Sequence, residues 1–207
     1  MSDGRSLGEV VPARLSTARR TAQSMEHELL ATISAGSRSA MAELYFLHFA
    51  RLAKFFLHVT GRVDLVEELV NDTMFDVWRE SARIASDTSV PAWIMGLAYS
   101  HGQMRLAGAG SIRAHVVTSV SFTPQGSAPT ATSEIPRGQQ DFLMKLPFEE
   151  RAVLHLIHAG GFSRQSIADI MNTSCERVDV LLADARHRLG LSPGPRKESL
   201  EAVDEND

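Results

Sequence analysis

The chain has 207 residues, 43% of them hydrophobic and 22% charged, with a formal net charge of −4. This is globular composition, enough for two small domains. It argues against membrane insertion, since no run approaches about 18 apolar residues, and against a disulfide framework, since Cys175 is the single cysteine.

The acidic balance is not the footprint of a protein that binds DNA unaided. Residues 1–25 carry Arg5, Arg14, Arg19 and Arg20 among small and polar residues and read as a mobile arm. Helical patterning begins near Glu26. The apolar stripe Met41, Leu44, Tyr45, His48, Leu52, Phe55, Phe56 and Val59 predicts a helix from about Ser37 to Thr60, stopped by Gly61. A second long helix, from about Val63 to Ile84, is two-sided. Val66, Leu69, Val70, Thr73 and Val77 line one side, while Asp64, Glu67, Glu68, Asn71 and Asp72 make an acidic stripe on the other. Such a stripe is ordinarily a solvated face, and it also suits docking by a basic or polar helix. Pro91 then opens a helix with Trp93, Ile94, Leu97, Ala98 and His101 inward. Gly96 and Gly102 lie within it, each costing about 1 kcal/mol relative to Ala, so this helix leans on tertiary packing.

Residues 108–138 hold three prolines (Pro124, Pro129, Pro136) among Ser, Thr, Gly and Ala, and read as a flexible linker. Fully extended, such a segment reaches about 100 Å, with a relaxed span near about 30 Å. The segment from Leu146 to Leu189 predicts three helices, the last two as a helix-turn-helix. Gly160 and Gly161 stop the first, Ser163 caps the second, and Thr173 with Glu176 has capping-box spacing for the third. Val178, Leu181, Leu182, Ala185 and Leu189 form the inward stripe of the third. Its opposite face carries Glu176, Val180, Ala183 and His187. Arg177, Arg186 and Arg188 are balanced there by Glu176, Asp179 and Asp184, so the shape suits a DNA groove better than the chemistry does. Residues 191–207 read as a disordered tail.

Catalytic constellations are absent from the pattern. His155 and His158 share a helix face, but no third ligand accompanies them in sequence. There is no phosphate-cradling Gly-rich loop, nucleophile elbow or His-Glu-x-x-His. The expectation is a protein that is not an enzyme and needs no metal, cofactor or small-molecule substrate.

Three stretches carry a resemblance: Ala42-Glu43-Leu44-Tyr45, Asp64 through Trp78, and Pro91-Ala92-Trp93-Ile94. They resemble region 2 of extracytoplasmic-function (ECF) sigma factors of bacterial RNA polymerase, and Leu146–Leu189 resembles their region 4. The resemblance implies an all-α protein of two small helical domains, a region 2-like bundle at 26–107 and a region 4-like helix-turn-helix at 139–190. It implies a cytoplasmic transcription factor whose partners are core RNA polymerase, promoter DNA and an anti-sigma factor. Asp64, Glu67, Glu68, Asn71 and Asp72 would dock on polymerase. Tyr99, Ser100, Gln103 and Arg105 would meet the melted promoter, and Ser163, Arg164, Thr173, Arg177, Val180 and His187 the distant element. The chain departs from the family where DNA is concerned. Tyr99-Ser100 replaces an Arg-Asn pair, Ala107 and Gly108 replace a basic cluster, and Asp179, Leu181 and Asp184 stand at positions usually cationic. Each cation missing from a phosphate weakens binding and makes it less dependent on salt. The alternative is therefore a sigma-like adaptor that binds polymerase or an anti-sigma partner but reads DNA poorly.

Overall fold

The computed structural model describes residues 11–108 and 143–191. Among them every regular element is helical: α1 (Val11–Ser34), α2 (Arg38–Thr60), α3 (Val66–Glu80), α4 (Val90–Ala107), α5 (Phe148–His158), α6 (Arg164–Met171) and α7 (Cys175–Arg188). Short 3-10 turns at Val63–Leu65 and Ser81–Arg83 flank α3, which divides the single helix expected from 63 to 84. α1 starts at Val11, well inside the stretch expected to be an arm. Its composition explains this, since Ala13, Arg14, Leu15, Ala18, Arg19 and Arg20 are good helix formers. The first ten residues, most of the 108–138 linker and the tail beyond Leu191 lie outside the described residues.

Local chemistry sets the helix ends. The Ser37 hydroxyl accepts from the Ala40 amide to start α2. Gly61, in the left-handed region at φ 68°, returns its amide to Leu57 and ends it. Ser163 caps α6 as expected, accepting from the Ser166 amide. The start of α7 differs by one residue. Ser174, not Thr173, is the N-cap, and it accepts from the Arg177 amide. The displacement follows from Asn172, which ends α6 in the left-handed region at φ 49°. Asn tolerates that conformation, and with it the Thr173 amide bonds the Ala168 carbonyl, so Thr173 belongs to the turn.

In the N-terminal half α2 is the central element, touching α1, α3 and α4. Leu44, Leu52, Phe55, Phe56 and Val59 of α2 are almost completely buried, as are Val70 and Val77 of α3 and Ile94 and Ala98 of α4. Each large apolar side chain so buried contributes about 1.5–3 kcal/mol relative to exposure. Trp93, expected inward, is half-buried beside Ile84. In the C-terminal half Ala152, Val153 and Leu156 of α5, Ile167 and Ala168 of α6, and Val178, Leu182 and Ala185 of α7 close a second apolar centre.

The two centres are continuous. α6 packs along α4 and α5 packs along α2, so buried residues of both halves form one cluster. The Tyr99 and Phe148 rings meet at 5.3 Å, and the His155 ring lies 5.6 Å from Phe55. Residues 26–107 and 139–190 were expected as two small domains joined by a flexible linker. In the structure the two halves meet through apolar side chains. Gly102 of α4 contributes to it, because its bare backbone admits the Phe148 ring closely. A Cβ on Gly96 would sit 3.7 Å from the Ile170 carbonyl oxygen, and one on Gly102 would press the Phe148 ring at 3.2 Å.

Candidate functional site

Two surfaces bring the candidate residues together, the outer face of α3 and the joint surface of α4, α6 and α7. Asp64, in the 3-10 turn before α3, and Glu67, Glu68 and Asn71 on it are exposed, and Asp72 is half-buried. The apolar face of the helix (Leu69, Val70, Met74, Val77) is occupied by the core, which turns the carboxylates outward. Asp64 is held below the usual carboxylate range by a hydrogen bond from the Arg62 guanidinium. Asp72 is shifted the other way by its partial burial, with His101 and Arg105 opposing. Asn71 accepts from the Tyr45 hydroxyl at 3.1 Å, which ties this face to α2. Glu68 pairs with Arg105 of α4 at 2.8 Å.

Sequence reasoning missed the apolar ends of this stripe. Val63 is 74% exposed and Phe75 57% exposed. Phe75 lies four residues beyond Asn71, on the acidic face, and that spacing was its available signal. Exposed aromatics beside charges are the residue types that anchor protein interfaces.

On α4, Ser100, Gln103 and Arg105 are exposed, and the Ser100 hydroxyl donates to the Gly96 carbonyl. Tyr99 differs from expectation. It is only 6% exposed, and burial together with the nearby Glu149 raises its pKa to about 12. The cause is Phe148, whose ring covers it from the other domain. In the helix-turn-helix, Ser163, Arg164, Arg177, Val180 and His187 are exposed, while Thr173 is half-buried in the turn. The Ser163 hydroxyl is engaged in its cap.

Three arginines of this surface are paired with acids of the chain itself. Arg164 pairs with Asp179 at 2.8 Å, Arg177 with Glu149 at 3.0 Å, and Arg188 with Glu150 at 3.2 Å. Sequence reasoning placed the acids but not these pairs, two of which join α5 to α7 across the fold. Glu150 is nearly buried, and burial raises its pKa while Arg188 opposes that shift. At these three arginines an incoming phosphate would have to compete with a carboxylate. No group of three or more metal-ligating side chains occurs among the described residues, and no described helix is long and apolar enough to cross a membrane.

Comparison with known proteins follows this division. Residues 140–189, the helix-turn-helix half, match the family model described as Sigma-70, region 4. Over 162 residues the chain is 26% identical to the ECF RNA polymerase sigma factor SigM of Mycobacterium tuberculosis, covering 78% of this chain and 81% of that protein. Its fold is similar to that of CnrH solved in complex with the cytosolic domain of CnrY, with a TM-score of 0.56 at 19% identity, over 80% of this chain and 95% of that one. It is also similar to the sigma factor RpoE in complex with the anti-sigma factor NepR from Bartonella quintana, with a TM-score of 0.53 at 22% identity, over 71% and 92% of the two chains.

Proposed function

We infer that the chain works as an RNA polymerase sigma factor of the ECF type, the family to which it belongs, binding core polymerase and directing initiation at promoters. The observation that carries this reading is the extent of the likeness to SigM. Its 162 residues are more than the helix-turn-helix half holds, so the acidic α3 and the α4 helix belong to the match as well as the region 4 segment. A helix-turn-helix alone would fit many DNA-binding proteins.

Within that function the outer face of α3 is assigned to polymerase. Asp64, Glu67, Glu68, Asn71 and Asp72 supply the charge, and Phe75 and Val63 supply apolar anchors at its two ends. A basic partner surface is the complement of such a face. Promoter contacts are assigned to Ser100, Gln103 and Arg105 on α4 and to Ser163, Arg164, Thr173, Arg177, Val180 and His187 on the helix-turn-helix. Arginines reach phosphates and base edges, and the short polar side chains accept or donate nearby. The low net charge accords with this division of labour, because core polymerase contributes most of the DNA affinity. RpoE of Bartonella quintana is held by an anti-sigma factor in its solved complex, and a partner of that kind is proposed here too. The protein is then a non-enzymatic initiation factor acting in the cytoplasm.

The assignment of α3 is tested by reversing Asp64, Glu68 and Asp72 to Lys. Asp64 and Glu68 are exposed and Asp72 is half-buried, so helix content is read first to show that the variant is folded, and co-purification with core polymerase should be lost. Retained binding by the folded triple variant would refute the docking face.

A further inference from the structure

We propose that Val180 reads the 5-methyl group of a thymine in the distant promoter element, as a specificity-determining residue of the helix-turn-helix. This rests on the sigma-factor reading, and adds to it a base that the element must contain. Val180 is 47% exposed, and among the described residues of α5, α6 and α7 it is the one large apolar side chain left exposed. Neither packing nor helix propensity accounts for it. α7 packs Val178, Leu181, Leu182 and Ala185 against α5 and α6, and at 100° per residue Val180 stands on the opposite crest of the helix. A β-branched residue is also a poorer helix former than Ala at an exposed position.

Its neighbours leave Val180 at the centre of the face that would meet base edges. Around the helix, the ion pairs Arg177–Glu149 and Arg164–Asp179 lie to its two sides, where a helix set in the major groove meets the phosphates of the groove walls. Glu176, one turn before it, is engaged at the helix start. Hydrogen bonds from its own amide and from the Ser174 hydroxyl hold its carboxyl below the usual range. Ala183, nearly one turn after, is exposed and carries a single methyl, so the helix backbone can come close to the bases. Asp184 and His187 continue the same face beyond it. The major groove presents donors and acceptors on all four base pairs, and its one apolar group is the thymine C5-methyl. Burying Val180 against a cytosine amine or a purine N7 would desolvate a polar group and leave it unpaired. Against the methyl it removes two apolar surfaces from water. The chemistry of the crest therefore selects thymine.

The test uses the full chain with core polymerase. Holoenzyme is first offered a pool of promoter duplexes randomised over the distant element, and the retained sequences are read. Each thymine of the selected element is then replaced by deoxyuridine, which deletes the methyl and keeps every hydrogen-bonding group. The natural chain is expected to retain sequences with a fixed thymine, and to lose about fourfold in affinity when that thymine becomes deoxyuridine. Val180→Ala changes an exposed side chain to a better helix former, so it should fold and bind core as the natural chain does. It should nevertheless bind the thymine and deoxyuridine duplexes equally. Equal discrimination by the natural and Val180→Ala chains would overturn the proposal, as would a selected element with no fixed thymine. Weaker core binding by Val180→Ala with the thymine preference intact would make Val180 a protein contact, and would overturn it too. The two failures are distinguishable. If holoenzyme retains no sequence beyond those that core alone retains, the sigma-factor reading fails and the proposal with it, whereas a retained sequence indifferent to the methyl strikes the proposal alone.

Discussion

Arg105 of α4 and Glu68 of α3 form an ion pair at 2.8 Å that joins the surface assigned to promoter DNA to the surface assigned to polymerase. Each is close to half exposed, so the pair contributes at most about 1 kcal/mol. A polymerase cation reaching Glu68 competes with Arg105, and the displaced guanidinium becomes free for a phosphate. Arg105→Ala should therefore strengthen core binding, by no more than about fivefold, while weakening promoter binding of the holoenzyme. Unchanged core affinity measured by anisotropy would separate the two surfaces.

His155 gives the fold a dependence on acidity. Burial, with His58 and Lys54 adding to it, lowers its pKa from 6.5 to about 3. The unfolded chain therefore binds a proton below pH 6.5 that the folded chain refuses until about pH 3, so stability falls as pH drops through that window. The loss is on the order of 1 kcal/mol per pH unit across that window. Glu150, whose pKa is raised by burial, has the opposite sign, since its protonated form is the one the fold prefers. Comparing the natural chain with His155→Phe in urea at several pH values isolates the histidine. Equal slopes in both would contradict its burial as the neutral form.

Much of this organisation was legible in the sequence because it depends on local rules. The stripe from Met41 to Val59, the cap at Ser163 and the acids of α3 follow from helical spacing and side-chain hydrogen bonding alone. The start of α7 was misplaced because Thr173 and Ser174 are both good caps, and only the left-handed Asn172 decides between them. Closure of the two halves was not legible. A linker rich in Ser, Pro and Gly implies separation, and Gly96 and Gly102 register in sequence as helix costs, although in space they are contact points. The burial of Tyr99 and the pairing of Arg177 with Glu149 depend on that tertiary packing and left no periodic trace.

Arg188 tethers the end of α7 to a carboxylate that is nearly buried in α5, with Glu150 only 3% exposed. Removing the guanidinium leaves that carboxylate without its cation. Because Arg188 itself is mostly exposed, the cost of Arg188→Ala should be moderate, about 1–2 kcal/mol, and Glu150→Gln in the same chain should recover part of it. Arg186→Ala, on the same exposed turn, is the control and should stay within about 0.5 kcal/mol by denaturant unfolding.

Asp179 neutralises Arg164 at 2.8 Å, and Asp184 adds a further negative charge to the exposed side of α7. Replacing both with Arg adds two cations and releases a third. Duplex binding by the full chain should rise from very weak to measurable. Its salt slope should steepen by about 0.9 for each new phosphate contact, up to about 2.7. Tight and sequence-selective binding by the natural chain, lost in the double variant, would mean that the carboxylates themselves read bases, accepting from cytosine amines.

The central claim, that the chain turns core polymerase into a promoter-specific enzyme, is tested most directly by run-off transcription. Core polymerase and the purified chain are incubated with a library of candidate promoters, and transcripts are mapped to their start sites. Discrete start sites are expected on a small subset of templates, dependent on the chain and abolished by Lys at Asp64, Glu68 and Asp72. Stable binding to core with no transcript from any template would contradict it, and would leave a polymerase-binding adaptor in place of an initiation factor.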